Sequence, residues 1–446
     1  MNQTDTEQEE ENIPETAKTI DKNAKKEKKK RRIYRSQNFL MLLIHFMLYT
    51  IIFLNEKSMY VLVFYGAQLC FFIVALFMYN NIYRNASRLL INNMFFLMMI
   101  GFVMLTRLDM TLAVKQFLIA VASVAFSLAV PVIVEKVGFL SCLGIVYGIL
   151  GLGVVGSVFI FGTKVYGATN WVSIAGIGFQ PSELAKIVLI LFFARFFSKH
   201  AENLNTVKTI GLSFVLIGIP LLLIVTQPDT STSIAIALIF ISLLFIAGLS
   251  YKIVLTVLGI CIPTGLIGIT VILRMAQSSG DYRFGRIMAW LYPQDPRWSD
   301  IAAQQQNSIM AIGSGQLWGK GLNNSAATSM KNANYIIEPQ TDFIFAVAGE
   351  ELGFIGTMVI VLLLLFIVIE CILIARKAKD LAGRLICCGM AALIGFQSIF
   401  NIFVATGLMP NTGIPLPFVS YGLTSLLSLY LGMGFVLNVG LQPKKY

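Results

Sequence analysis

A succession of apolar stretches, each near the length needed to cross a bilayer, dominates this chain and leaves few folds open to it. We read twelve spans, at 38–54, 59–79, 89–107, 113–133, 138–161, 183–198, 209–226, 231–248, 252–273, 343–374, 385–407 and 418–440. Only 13% of the 446 residues are charged and 57% are hydrophobic, against about 25% charged in a soluble domain. Backbone polar groups in hydrocarbon must be satisfied internally, so the expectation is an all-α polytopic membrane protein.

Charge sets the expected orientation. Lys25, Lys26, Lys28, Lys29, Lys30, Arg31 and Arg32 precede the first span and suit anionic headgroups on the cytoplasmic side. Arg84, Arg88, Lys199, Lys252, Arg376, Lys377, Lys379, Arg384, Lys444 and Lys445 fall on the same side when the spans are even in number. Both termini are then cytoplasmic, and the first span acts as the insertion signal in place of a cleavable leader. The net charge of +11 therefore reads as membrane topology, with no nucleic-acid role. Residues 1–37 read as a disordered acidic, then polybasic tail. Residues 38–88 read as an N-terminal hairpin, and 89–442 as the membrane core with a large outer loop at 274–342.

The six cysteines lie in apolar runs without a Cys-x-x-Cys pair, and the two histidines, His45 and His200, are far apart. That pattern speaks against disulfide, His-rich metal and bis-histidine haem chemistry. The polar links between spans carry the candidate chemistry. Asp342 stands at the mouth of a span, where a carboxylate marks a site unless it is a structural ion-pair partner. Small residues at Ala346, Gly349, Gly353 and Gly356 share its helical face, and Glu350 and Glu351 are expected toward the cytoplasmic half. Gln180-Pro181-Ser182-Glu183 is a helix start, with Lys186 three residues after Glu183 and able to pair with it. Trp171 is either an interfacial anchor or a face for stacking on a sugar. Asp229, after Gln227-Pro228, can cap the helix that follows. Arg283 and Arg286 either grip phosphates or contact headgroups at the interface. The segment Asn411 to Gly422 is expected to line the same cavity as Asp342, because irregular backbone at that depth must be buried in protein or border a cavity.

Five motifs occur in one order: Gly167-Ala168-x-x-Trp171 with Gln180-Pro181-Ser182-Glu183-x-x-Lys186; Gln227-Pro228-Asp229; Ala311-Ile312-Gly313-Ser314-Gly315 with Gly319-Lys320-Gly321-Leu322; Thr341-Asp342-Phe343-Ile344-Phe345-Ala346 with Gly349-Glu350-Glu351-Leu352-Gly353; and Gly413-Ile414-Pro415-Leu416-Pro417-Phe418-x-Ser420-Tyr421-Gly422. Together they resemble the SEDS family (shape, elongation, division and sporulation), of the FtsW/RodA/SpoVE type, over roughly residues 89–442. The chain departs from the family pattern in having Gln340 where the family commonly has His. Ala302-Ala303-Gln304 replaces Gly-Tyr-Gln, and Leu423 follows Tyr421-Gly422. The family core has ten spans, so the first two here are additional.

The resemblance implies a peptidoglycan glycosyltransferase in the bacterial cytoplasmic membrane, serving cell division or cell-shape maintenance. It would polymerise lipid II at the outer face and release undecaprenyl pyrophosphate, with a class B penicillin-binding protein as partner. Asp342 is then the essential residue, as general base or as holder of a divalent cation such as Mg or Mn. Trp171, Glu183, Lys186, Arg283, Arg286, Glu338, Gln340, Thr341, Ser420 and Tyr421 become substrate-binding candidates. A lipid II flippase and a scaffold for the transpeptidase are the competing classes.

Overall fold

The computed structural model describes residues 15–136, 144–165, 168–174, 177–227, 229–253, 255–256, 259, 282–322, 335–336 and 338–442. The helices are α1 (Glu15–Glu56), α2 (Met59–Ile82), α3 (Arg88–Leu108), α4 (Met110–Lys136), α5 (Gly144–Phe161), α6 (Pro181–Lys199), α7 (Val207–Thr226), α8 (Thr230–Ile246), α9 (Tyr282–Leu291), α10 (Ser299–Ser314), α11 (Ile344–Arg376), α12 (Leu381–Ala405) and α13 (Leu423–Leu441). Among the described residues, eight helices are long and apolar enough to cross a membrane: Arg32–Glu56 of α1, and α2, α3, α4, α7, α11, α12 and α13. Two shorter apolar helices, Val146–Phe161 and Thr230–Ile246, fall where spans are expected. Helix α6 also coincides with an expected span, but carries four charges, Glu183, Lys186, Arg195 and Lys199. The expected span at 252–273 lies mostly outside the described residues.

Helix α1 begins at Glu15, inside the stretch expected to lack structure. Its Ala, Lys, Glu and Arg content is strongly helix-forming. The described residues up to Met47 form one compact unit and those from Leu48 on form the other. Within the second, α3 is buried along nearly its whole length. Helix α2 packs on α4 through Phe64–Phe117 and on α3 through Phe72–Phe95, both at 5.7 Å between ring centroids, and α3 meets α4 through Phe102–Phe117 at 5.9 Å. Such pairs add about 0.5–1.5 kcal/mol each beyond their buried area. Gln68 Nε2 donates to Tyr49 Oη at 2.7 Å, and Tyr49 Oη meets Thr106 Oγ1 at 2.8 Å.

The departure from an all-helical chain is a small antiparallel sheet, ordered β1 (Gly162–Val165), β2 (Ala168–Ile174) and β3 (Ile177–Phe179). Trp171 pairs with Thr163, and Val172 with Phe179. The strands hold three to seven residues, too few for alternation to stand out beside the glycines.

Two segments place the site. The stretch 411–422 folds back into the bundle. A Cβ on Gly101 would lie 2.6 Å from Val419 O, so only glycine lets this backbone seat there. Gly101 is about 10 Å along α3 from Leu108, at 1.5 Å per residue. We call this end of the bundle, which carries Asp342, the loop end. Helix α11 is interrupted at Gly353, whose φ of 67° and ψ of −165° are non-helical. This corrects the expectation of one continuous helix with a shared small-residue face. Glu350 and Glu351 also lie at the loop end, away from their expected place. Glu351 pairs with Arg107 in the last turn of α3 at 3.1 Å, and Glu350 with Lys320 at 2.8 Å. Counting along one unbroken helix ignores the interruption at Gly353, which follows both residues. Glu370, at the opposite end, accepts from the α3 N-cap Ser87 Oγ at 2.7 Å.

Candidate functional site

Asp342 sits in the turn before α11, one residue ahead of the N-cap Phe343. Its main chain is fixed from several sides. Asn401 Nδ2, buried on α12, donates to Asp342 O and to Ile414 O, both at 2.8 Å. Ser420 Oγ donates to Thr341 O at 2.6 Å and accepts from Leu416 N–H at 2.8 Å. Tyr421 N–H donates to Gln340 O at 2.8 Å. Gln116 Nε2 on α4 donates to Ser420 O at 3.2 Å, and Gly422 N–H donates back to Gln116 Oε1 at 3.2 Å. The two irregular segments, 338–343 and 411–422, are thus stitched together and to α4 and α12.

Asp342 as a whole is half-buried. A Cβ built on Gly413 would lie 3.5 Å from Asp342 Oδ2 and 3.7 Å from Arg286 Nη1, so the carboxylate and the guanidinium flank one spot. Arg286 is carried there by α9, and its Nη1 also donates to Asn411 O at 3.4 Å. Asn411 Nδ2 in turn donates to Gln304 Oε1 of α10 at 3.0 Å. Burial pushes the Asp342 carboxyl up to about 6. The Arg286 charge opposes that rise, the Glu338 charge adds to it, and a hydrogen bond from Thr341 opposes it. Gln340 Nε2 donates to Glu338 Oε2 at 2.8 Å, and Glu338 adopts a left-handed φ of 52°. A non-glycine residue in that region costs roughly 1–3 kcal/mol and is found where surroundings over-determine it, often at functional sites.

The structure therefore gathers Asp342, Arg286, Glu338, Gln340, Thr341, Ser420 and Tyr421. Ser420 commits its hydroxyl to the main chain, so it holds the site together. Arg283 lies on α9 as well, but its side chain falls outside the described residues. Glu183 and Lys186 are both buried and paired at 2.7 Å. Lys186 heads a small apolar cavity lined by Ile190, Phe193, Ile217, Ile236 and Phe240, so its ammonium is committed to Glu183. The Trp171 ring packs against Gly178, where a Cβ would come within 3.2 Å of it. Among the described residues, Trp171 makes no hydrogen bond or charge contact with the Asp342 cluster.

Asp229 forms a second cluster. Its Oδ1 caps α8 through Thr232 N–H at 3.1 Å. Its Oδ2 accepts from Gln180 Nε2 at 3.1 Å, and from Asn170 Nδ2 and Ser182 Oγ at 3.3 Å. This aspartate ties the sheet to the starts of α6 and α8.

Asn401 and Gln116 do not emerge from the sequence as site residues. A buried amide inside an apolar run is itself a signal, and it could have found Asn401 and Gln116. No group of three His, Cys, Asp or Glu side chains converges among the described residues. Among the described residues, the cation beside Asp342 is Arg286.

Residues 87–445 match the FtsW/RodA/SpoVE family, described as cell cycle proteins. The chain belongs to this family. The match begins after α2. The chain is 35% identical over 285 residues to a probable peptidoglycan glycosyltransferase FtsW of Geobacter sulfurreducens, covering 64% of this chain and 73% of that protein. It is 36% identical over 281 residues to stage V sporulation protein E of Bacillus subtilis, covering 61% and 71%. It is 35% identical over 292 residues to the peptidoglycan glycosyltransferase MrdB of Escherichia coli, covering 64% and 74%. Among solved structures, a chain of a peptidoglycan synthase complex that coordinates polymerisation and crosslinking aligns with a TM-score of 0.64 at 24% identity, over 80% of this chain and 97% of that one. The rod-shape-determining protein RodA of Thermus thermophilus aligns with a TM-score of 0.57 at 24% identity, over 80% and 96%. At that identity these structures speak for the fold. The family and the apolar helices make the chain a multi-pass membrane protein.

Proposed function

We propose that this protein is a peptidoglycan glycosyltransferase that polymerises lipid II at the outer face of the bacterial cytoplasmic membrane. Family membership and relatives named for that activity support the reaction class. The observation that carries the site is Asp342, its main chain pinned and its carboxylate turned with Arg286 toward one accessible spot. A carboxyl pushed up to about 6 is ionised at neutral pH and basic enough to take a proton.

In the proposed step, Asp342 removes the proton from the acceptor sugar 4-hydroxyl. That oxygen attacks the anomeric carbon of the donor, the glycosidic bond forms, and the bond to the undecaprenyl pyrophosphate breaks. Arg286 stabilises negative charge as it develops on the leaving group, a role in which a preorganised cation acts most strongly. Gln340 and Thr341 contribute hydrogen-bonding groups beside the base. The polybasic segment before the first span and the positive-inside bias support both termini being cytoplasmic. A class B penicillin-binding protein transpeptidase is the proposed partner, since a similar fold occurs in a complex that couples polymerisation to crosslinking.

The test is labelled lipid II incubated with purified protein, with and without its transpeptidase, beside Asp342→Ala. Glycan ladders from the wild type alone support the polymerase. Asp342-dependent movement of lipid II across liposomes without ladders would replace it by a flippase. Ladders unchanged in the variant would leave Asp342 outside the chemistry.

A further inference from the structure

The break in α11 leaves a defined set of backbone groups to satisfy. An uninterrupted helix would bond Phe354 N–H to Glu350 C=O and Ile355 N–H to Glu351 C=O. Both bonds span Gly353, whose non-helical backbone interrupts them and leaves their two donors and two acceptors to find other partners. All four find partners in residues 316–321, which lead out of α10. Phe354 N–H donates to Gln316 O at 2.8 Å, and Ile355 N–H to Leu317 O at 3.2 Å. Glu350 O accepts from Lys320 N–H at 2.8 Å, and Glu351 O from Gly321 N–H at 3.1 Å. Unpaired backbone groups inside a bundle are costly, so break and segment are complementary parts of one device.

Contacts between backbones make the fit close. A Cβ on Gly353 would stand 2.2 Å from Gly319 N, and one on Gly319 would stand 2.2 Å from Glu351 O. A Cβ on Gly315 would stand 1.9 Å from Gly349 O. Side-chain charges lock the same place: Lys320 Nζ meets Glu350 Oε1 at 2.8 Å, with the Glu350 side chain 1% exposed. Glu351 is held by Arg107.

The short helical segment 344–352 therefore has two anchors. At one end Asp342 is held by Asn401 and, through Thr341, by Ser420. At the other end residues 316–321 clasp the break. A shift of the clasped end is transmitted along a single rigid helical element to Asp342.

We propose that this clasp, with the Lys320–Glu350 ion pair as its side-chain lock, sets the position of Asp342 for the glycosyl transfer. Lys320 and Glu350 are positioning residues. The proposal rests on the glycosyltransferase reading above, and the full chain with its transpeptidase in lipid nanodiscs tests both. The variants are Lys320→Met, the conservative Lys320→Arg, and the charge swap Lys320→Glu with Glu350→Lys. Two quantities are read on the same samples: hydrogen exchange of the 342–356 backbone, and kcat and KM for lipid II.

Lys320→Met raises exchange at Phe354 and Ile355 and lowers kcat about tenfold with KM little changed, because displacement of a reacting group by about 1 Å can cost more than that. Lys320→Arg stays near wild type, and the swap recovers much of both losses. Raised exchange with unchanged kcat makes the clasp purely structural and overturns the proposal. Unchanged exchange and kcat overturn it equally. A wild type that forms no glycan while its exchange pattern matches the clasp sinks the glycosyltransferase reading, and with it the role of the clasp in chemistry.

Discussion

Two aspartates stand in irregular backbone near helix starts, and their surroundings differ in kind. Asp229 has spent its carboxylate: one oxygen caps α8, and the other accepts from three side chains on the sheet and α6. Asp342 has its main chain fixed by Asn401 and its neighbours' main chains fixed by Ser420 and Tyr421, while its carboxylate flanks an accessible spot with Arg286. A carboxylate saturated by internal donors stabilises the fold. One whose backbone is immobilised but whose oxygens face an opening is available to a substrate.

Removing the charge at each position is the strongest way to break this contrast. Asp342→Asn is expected to lower polymerisation by about a hundredfold or more, the usual worth of a positioned general base, with the fold intact. Normal polymerisation by that variant, measured with labelled lipid II, would abolish the distinction. Asp229→Ala is expected to do the opposite. It removes a helix cap and strands three donors, costing about 2 kcal/mol or more of stability with specific activity of the folded fraction largely kept. Thermal unfolding in detergent, set against activity per folded molecule, separates the two outcomes.

Titration sharpens the same comparison. Asp342 must be ionised to act as base, so kcat falls as pH drops through about 6, with a single-proton limb. Stability moves the other way at this residue. Its folded carboxyl holds the proton more tightly than an unfolded one, so between pH 6 and the ordinary value of 3.8 acidification favours the folded state. An acid limb near pH 4 in the pH–rate profile would contradict the environment described. The smallest effect is expected at Trp171. Trp171→Phe keeps a ring against Gly178, and polymerisation should change by about twofold or less, in line with changes of about 0.5 kcal/mol. A much larger loss in KM would restore the sugar-stacking role.

Much of this was legible from local rules. Hydropathy placed stretches that overlap the eight helices long and apolar enough to cross a membrane among the described residues. Gln180-Pro181-Ser182-Glu183 does start α6 with Pro in the first turn, Asp229 does cap α8, and Glu183 does pair with Lys186. Other features were not legible. Glycine at position 353 reads equally as a small packing residue or as a break, and only its positive φ against Gly319 separates the two. Glu350 and Glu351 were misplaced in depth because counting along an unbroken helix ignores that interruption. Asn401 looks like one polar residue in an apolar run until two carbonyls, from different segments, meet its amide.

The sequence by itself determined the membrane class and local features such as the start of α6 and the cap of α8, and it singled out Asp342 as a candidate carboxylate. These depend on hydrophobic transfer and on hydrogen bonds spanning a few residues, which a linear pattern carries. Only the tertiary structure decided which buried polar groups meet: Arg107 with Glu351, Lys320 with Glu350, Ser420 with Thr341, and residues 316–321 with the break in α11. Those pairings join positions up to 244 residues apart. They are chosen by which unsatisfied groups are left facing one another once the helices have packed, and no local pattern records that choice.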